Sequence, residues 1–361
     1  MFQISRSAAL RLACTGALGL AFGLSAAEPA SALTILAKFD PTVSSQAQAA
    51  FNRAADVYEA SFSNPATVNI NVSWGSVAGH AMPSGALGAS SSNLYGYFTY
   101  SQIHTDLING AKGASKNAAL TTALASLTTA GPAGPTRWVM PSAEAKALGM
   151  ISGTSTSIDG YIGFANNTYD FDPVNGVTAG YYDFEGIAAH EIAEVLGRIS
   201  GISTSTAFRT PFDLYRYTAP GVASYGYSDA AYFSINGGVT NLKRFNNGAS
   251  GDRGDWLSTT GLYDVSNAFL TKGVPYYVSN ADLTALDALG WGGVNAGNTA
   301  IGNPTGRAFN LVIGPDAVPE PATWAVMLMG FFGMGAMARR RRGALVAAPV
   351  AASPEKRPVR Q

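Results

Sequence analysis

The chain has 361 residues, with 23 basic and 23 acidic side chains, and only 13% of its residues are charged. This balance argues against a nucleic-acid partner, because nucleic-acid binding requires a basic face. The single cysteine, Cys14, lies near the N-terminus, so any metal bound by the rest of the chain must be held by nitrogen and oxygen atoms.

The first 32 residues are typical of a secretory signal peptide. Arg6 and Arg11 give this segment a positive start, and residues 12–24 form an apolar core that is too short to span a membrane comfortably. Ala30-Ser31-Ala32 fits a small-x-small cleavage site. The sequence therefore predicts a mature chain that begins at Leu33.

Residues 33–292 are interpreted as one α/β (α+β) domain. A strand over 33–39, an amphipathic helix after Ser44 and an alternating strand over 68–74 predict a strand, a helix and a parallel strand. Further short elements follow, namely helices over 118–127, 142–148 and 281–289 and a strand over 161–165. The oxygen-rich segment 170–176 lacks EF-hand spacing, so we interpret it as a turn, with a structural calcium site as the alternative.

The most informative segment is a predicted helix over residues 188–198 that carries the pattern His-Glu-x-x-Glu. Residues four apart share a helix face, so His190 and Glu194 can bind one metal ion. Glu191 lies beside the first ligand, where it can act as a general base. A hydrolytic zinc site needs a third protein ligand, and Asp213 is the candidate because the loop before it is long enough to return to the helix. An incidental pattern on a solvated helix face is the alternative.

The C-terminal region carries a second targeting pattern. Val318-Pro319-Glu320-Pro321 precedes an apolar run over 322–338, and four arginines follow at 339–342. The run is just long enough for a tilted membrane helix, and the arginines favour a cytoplasmic end. Residues 293–317 are interpreted as a linker, and residues 343–361 as a basic disordered tail.

The pattern over 318–342 resembles the PEP-CTERM sorting signal of Gram-negative bacteria, in which an exosortase removes the anchor near Pro-Glu-Pro. The resemblance implies transient anchoring in the inner membrane through a C-terminal transmembrane helix, and delivery to the cell envelope or extracellular matrix. It also implies an exosortase-type sorting enzyme as a partner, and it suggests exopolysaccharide as another. One departure is that such proteins usually end just after the arginines.

The helix motif resembles that of metzincin-like metalloproteases, His-Glu-x-x-His-x-x-Gly-x-x-His/Asp. His190, Glu191 and Gly197 match, whereas Glu194 replaces the second histidine and Ser200 occupies the position of the third ligand. The chain also has no methionine between residues 150 and 327 to form the family's methionine turn. The resemblance extends over 33–291, includes a narrower group of PEP-CTERM metalloproteases, and implies a mixed twisted sheet with an active-site helix.

Together these features predict an exported zinc-dependent peptidase that hydrolyses peptide bonds with water activated by one metal ion. Its substrate would be a peptide or protein, and manganese or calcium are alternatives to zinc because carboxylates dominate the ligands. The alternative function is that of a non-catalytic, exopolysaccharide-associated surface or matrix-binding protein with a degenerate protease fold.

Overall fold

The computed structural model describes residues 33–112, 117–129, 131, 137–204, 208–259 and 263–292, together with the backbone of 318–319. Outside these ranges lie the predicted signal peptide, the linker and the basic tail. The predicted sorting signal with its membrane helix also lies outside them, apart from residues 318–319. Within the described ranges, no helix combines the length and apolar composition that a membrane crossing requires.

The described residues form a mixed α/β structure with several β-sheets. Its six α-helices are α1 (Ser45–Ser61), α2 (Tyr100–Ala111), α3 (Ala118–Leu124), α4 (Ser142–Ala147), α5 (Phe184–Val195) and α6 (Asn280–Ala288). The strands are β1 (Thr34–Phe39), β2 (Thr67–Trp74), β3 (Ser76–Val77), β4 (His80–Ala81), β5 (Gly88–Ser92), β6 (Leu94–Phe98), β7 (Arg137–Pro141), β8 (Gly160–Phe164), β9 (Tyr169–Asp170), β10 (Tyr182–Asp183), β11 (Phe208–Arg209), β12 (Arg216–Ala219), β13 (Val222–Ala223), β14 (Tyr232–Phe233), β15 (Lys243–Arg244), β16 (Phe269–Leu270) and β17 (Val318–Pro319). Two 3-10 helices cover Pro173–Asn175 and Pro211–Tyr215.

The predicted strand, helix and parallel strand at the start of the mature chain are confirmed. The side chain of Ser44 accepts a hydrogen bond from the Ala47 amide and begins α1, and the buried face of α1 runs from Ala47 to Tyr58 at helical spacing. Strands β1, β2 and β8 are parallel, and β5 joins them antiparallel at the edge, so the sheet order is β1–β2–β8–β5.

The later predicted elements are also present, with boundaries that differ by one to three residues. Helices α3, α4 and α6 correspond to the three predicted helices, and β8 corresponds to the predicted strand. The segment 170–176 is a turn, as interpreted, in which the Asp170 carboxylate accepts hydrogen bonds from the amide of Asp172 and from Thr178.

Helix α5 approaches the sheet closely at two glycines. A Cβ atom on Gly160 of β8 would lie 2.7 Å from a methyl carbon of Val195, and a Cβ atom on Gly88 of β5 would meet side chains of α5 in the same way. The hydroxyl of Tyr58 in α1 donates a hydrogen bond of 2.8 Å to the Ala189 carbonyl. These contacts fix α5 against β5, β8 and α1.

The chain beyond α5 forms a small antiparallel sheet, β13–β12–β14–β15, beside an aromatic cluster. The rings of Phe233 and Phe245 pack against Trp256, with centroid distances of 5.6 and 5.1 Å. The chain then returns through α6, and the Trp291 indole N–H donates a hydrogen bond of 2.7 Å to the Leu196 carbonyl at the end of α5. The irregular segment 245–259 lies beside the second half of α5, where Asp255 faces His190 and Arg198.

Candidate metal centre

Helix α5 covers Phe184–Val195, so it begins four residues and ends three residues before the predicted helix over 188–198. The Asp183 carboxylate accepts a hydrogen bond from the Gly186 amide, as an N-cap does. Gly197 follows the last turn with a φ of +122°, a conformation that favours glycine. Between these ends, His190 and Glu194 lie on one face as predicted, with 3.7 Å between His190 Nε2 and Glu194 Oε1.

A third carboxylate, from outside the helix, joins this pair. Asp255 Oδ1 lies 3.6 Å from His190 Nε2, and the ligand atoms of His190, Glu194 and Asp255 all lie within 4.8 Å of one another. Ligand atoms about 2.0–2.2 Å from a tetrahedral zinc ion are roughly 3.3–3.6 Å apart. The two separations from His190 Nε2 are close to this spacing, so a modest adjustment of the side chains would let the three atoms bind one divalent cation.

Two of the three side chains are oriented by a second contact. His190 Nδ1 donates a hydrogen bond of 2.8 Å to the Val265 carbonyl, and because that oxygen can only accept, the proton is on Nδ1 and Nε2 faces the carboxylates. The Ser90 hydroxyl donates a hydrogen bond of 2.6 Å to Glu194 Oε2, which turns Oε1 towards His190. Contacts of this kind normally orient metal ligands and fix the histidine tautomer.

Glu191 lies against the edge strand β5. Its side chain is only 1% exposed, and a Cβ atom on Gly88 would lie 2.4 Å from Glu191 Oε1. Gly88 and Ser90 are two residues apart on β5, so they face the same side of the sheet. Glu191 and Glu194 therefore contact the same face of one strand, and Gly88 provides the space that Glu191 occupies.

The buried charges connected to this centre are mainly negative. Ion pairs of 3.6–3.7 Å link Arg198 to Asp255 and Asp282, and Lys243 pairs with Asp264. Burial is the largest influence on the pKa of Asp264 and raises it to about 7, together with the charge of Asp282. Burial also opposes ionisation of Glu194, but its contact with the His190 ring, the hydrogen bond from Ser90 and the nearby positive charge of Arg198 hold its pKa below the ordinary value.

This charge distribution favours a bound cation. If every group is ionised, the four carboxylates carry four negative charges and the two cations carry two positive charges. The carboxylates are those of Glu194, Asp255, Asp264 and Asp282, and the cations are Arg198 and Lys243. Two negative charges are left over, and Glu191 adds a third. Buried charge of one sign requires protonation or a counter-ion. Protonation of Asp264 near neutral pH relieves one charge, and a divalent cation would offset the remainder.

The expected third ligand, Asp213, is not part of this group. Its carboxylate accepts hydrogen bonds from the Ser200 hydroxyl and from the amides of Gly201 and Thr210, at 2.5, 2.7 and 3.0 Å. Asp213 Oδ2 thus completes the capping box at the start of the 3-10 helix Pro211–Tyr215, and Oδ1 is held by Ser200. Ser200, which occupies the family's third ligand position, supports this cap.

The remaining histidines have other surroundings. His80 lies on the exposed strand β4, and the His104 ring packs on Tyr100 in α2, with centroids 5.7 Å apart. The sequence reads Arg253-Gly254-Asp255 around the candidate ligand Asp255, a triplet that resembles an adhesion motif. Because Arg253 and Asp255 are at most 1% exposed, the triplet is not presented on the surface.

Comparison with protein families identifies the PEP-CTERM protein-sorting motif over residues 317–342. The chain is therefore an exosortase-sorted bacterial protein that is exported to the cell envelope or surface. Searches of curated proteins and of solved structures gave no match.

Proposed function

We propose that the chain is an exported metal-dependent peptidase. His190, Glu194 and Asp255 would bind one divalent cation, and Glu191 would act as the general base. The observation that carries this proposal is the convergence of one imidazole nitrogen and two carboxylate oxygens within 4.8 Å. Nitrogen and carboxylate donors suit zinc, with manganese as the next choice.

The fold around α5 supports the proposal. The mixed sheet begins with a strand, a helix and a parallel strand, and α5 follows β8, the last strand along the chain to join that sheet. The metzincin resemblance implies a mixed sheet with an active-site helix, and this arrangement agrees with it. Before processing by the exosortase, the apolar run over 322–338 would hold the protein in the inner membrane.

The residues of the proposed site would have separate roles in peptide hydrolysis. When bound, the cation would supply Lewis-acid chemistry, which polarises a carbonyl group and lowers the pKa of bound water to about 7. His190 is held in the required tautomer by Val265, and Glu194 is held by Ser90. Glu191 takes the proton of the attacking water and passes it to the leaving amine.

The same site is closed in the structure. His190, Glu191, Glu194 and Asp255 are each at most 2% exposed, so a peptide can reach them only after the surrounding chain, which includes the segment around Asp255, moves. This burial favours a second candidate, a non-catalytic envelope or matrix protein in which the cation fastens α5 to that segment.

Elemental analysis of the purified full-length protein tests the metal site. Wild-type protein is expected to contain one equivalent of zinc or manganese, and the His190→Ala and Asp255→Asn variants much less. Asp213→Asn is the matched control, because it changes a buried carboxylate outside the group and should retain the metal. Equal and negligible metal in wild type and His190→Ala would refute the proposal.

Peptide cleavage then separates the two candidates. A protease-sensitive protein such as casein, or a fluorogenic peptide library, is incubated with wild-type protein and with Glu191→Gln. The peptidase proposal predicts that Glu191→Gln keeps the metal and loses cleavage. A metal-loaded wild type that cleaves nothing supports the non-catalytic candidate.

A further inference from the structure

We infer that Arg198 is a positioning residue that holds Asp255 in its place as a metal ligand. The inference rests on the proposed metal site, and it adds a residue that acts through Asp255 without contacting the cation. Arg198 follows the turn at Gly197, directly after α5, and its backbone amide donates to the Ala193 carbonyl at 3.0 Å. This hydrogen bond ties the backbone of Arg198 to the last turn of α5.

Arg198 is a fully buried cation between two carboxylates. Its exposure is 0%, and its Nη1 and Nε atoms lie 3.7 and 3.6 Å from Asp255 Oδ1 and Asp282 Oδ1. Among the described residues, its three nitrogens make no hydrogen bond. Burying an arginine costs free energy of desolvation unless its charge is paired. Here the charge faces Asp255 Oδ1, a proposed ligand atom.

Aromatic contacts hold the guanidinium in position. It lies over the Trp256 ring at 4.4 Å and near the Phe212 ring at 5.5 Å. The Trp256 indole N–H donates a hydrogen bond of 2.7 Å to Asp282 Oδ1, the same oxygen that Arg198 faces. Arg198 therefore contacts two successive residues, Asp255 through charge and Trp256 through stacking.

This arrangement explains how an irregular segment can deliver a ligand accurately. Asp255 lies outside regular strands and helices apart from isolated bridges at its neighbour Trp256. Asp282 is itself fixed at the start of α6, where its carboxylate accepts hydrogen bonds from the amide and hydroxyl of Ser279. The contacts of Arg198 thus join the end of α5, the Asp255 segment and α6 around one ligand.

The test is zinc affinity measured by chelator competition on the full-length protein. Arg198→Met removes the charge but keeps an apolar side chain against Trp256, and we expect zinc to bind about 10–100-fold more weakly. Arg198→Lys keeps a positive charge without the planar fork and should recover part of this loss. Lys146→Met is the control, because Lys146 is a buried cation paired with Asp159 and outside the metal group.

Cobalt substitution provides a second measurement that general destabilisation would not alter. Arg198→Met is expected to change the visible absorption of bound cobalt, whereas Lys146→Met should leave the spectrum as in wild type. Unchanged zinc affinity in Arg198→Met, or an equal loss in Lys146→Met, would overturn the inference while leaving the metal site intact. A wild type that binds neither zinc nor cobalt would instead refute the proposed function on which the inference rests.

Discussion

Replacing Gly88 with alanine tests whether the position of Glu191 matters for catalysis. A Cβ atom at residue 88 would lie 2.4 Å from Glu191 Oε1, 2.9 Å from Glu191 Cγ and 2.9 Å from Ile187 Cγ2. Cβ atoms essentially never approach other heavy atoms within 3.0 Å. Glu191 must therefore move by roughly 0.6 Å or more, since both its carboxylate and its stem are in the way.

The expected effect on activity is large relative to this movement. A displacement of about 1 Å in a catalytic group can reduce the rate on the order of 100-fold, so we expect a loss of roughly 10–100-fold in kcat/KM. The crowding of Ile187 should also lower the free energy of unfolding by about 1–3 kcal/mol. The metal content should stay at the wild-type value, because the three atoms nearest a Cβ atom at residue 88 belong to Glu191 and Ile187, which are not among the proposed ligands.

Gly96→Ala provides the matched control for Gly88→Ala. Gly96 also lies on an edge strand, β6, but a Cβ atom there would meet the Phe98 ring at 3.5 Å, an ordinary van der Waals contact. Peptide cleavage, elemental analysis and urea denaturation are compared for the two variants and wild type. Full activity and wild-type stability in Gly88→Ala would refute the placement of Glu191 against β5.

Other variants distinguish the ligands from the groups that support them. Asp213→Ala should lower the free energy of unfolding by about 3 kcal/mol, because the amides of Gly201 and Thr210 lose their acceptor. Elemental analysis should find the same zinc content in this variant as in wild type. A loss of zinc would contradict the capping role. Ser90→Ala should weaken zinc binding about 10-fold in a chelator competition, and an unchanged affinity would show that the hydrogen bond to the ligand carboxylate does not orient it. Burial raises the pKa of Asp183 in the folded protein to about 7 from 3.8. The protonated carboxyl therefore makes its full contribution to the free energy of unfolding below about pH 4. That contribution, roughly 4 kcal/mol, is lost as the pH rises to 7. Denaturation curves of Asp183→Asn should therefore show a smaller fall in unfolding free energy between pH 4 and 7 than wild type, and equal slopes would contradict this assignment.

The part of the site on α5 could be predicted from the sequence because local periodicity determines it. An amphipathic helix places residues four apart on one face whatever surrounds it, and His190 and Glu194 are accordingly 3.7 Å apart. The start of α5 also follows a local rule, because an Asp before an apolar helical pattern is a typical N-cap, although the helix begins four residues before the predicted start at residue 188. Asp183 forms that cap.

The third member of the candidate group, Asp255, could not be predicted because its position depends on long-range packing. Asp255 lies in an irregular segment with no periodicity, and it reaches His190 only because Trp256 packs among the rings of Phe233 and Phe245. The loop before Asp213 is long enough for this residue to return to the helix. A carboxylate at a turn can, however, accept hydrogen bonds from nearby amides rather than bind a metal. No feature in the sequence alone ranks these two carboxylates.

Anomalous diffraction at the zinc edge, from crystals of the full-length protein grown with zinc, tests the proposed metal centre most directly. We predict one strong peak surrounded by His190 Nε2, Glu194 Oε1 and Asp255 Oδ1. Well-ordered side chains at these three residues with no peak between them, or a peak held only by other residues, would contradict the account.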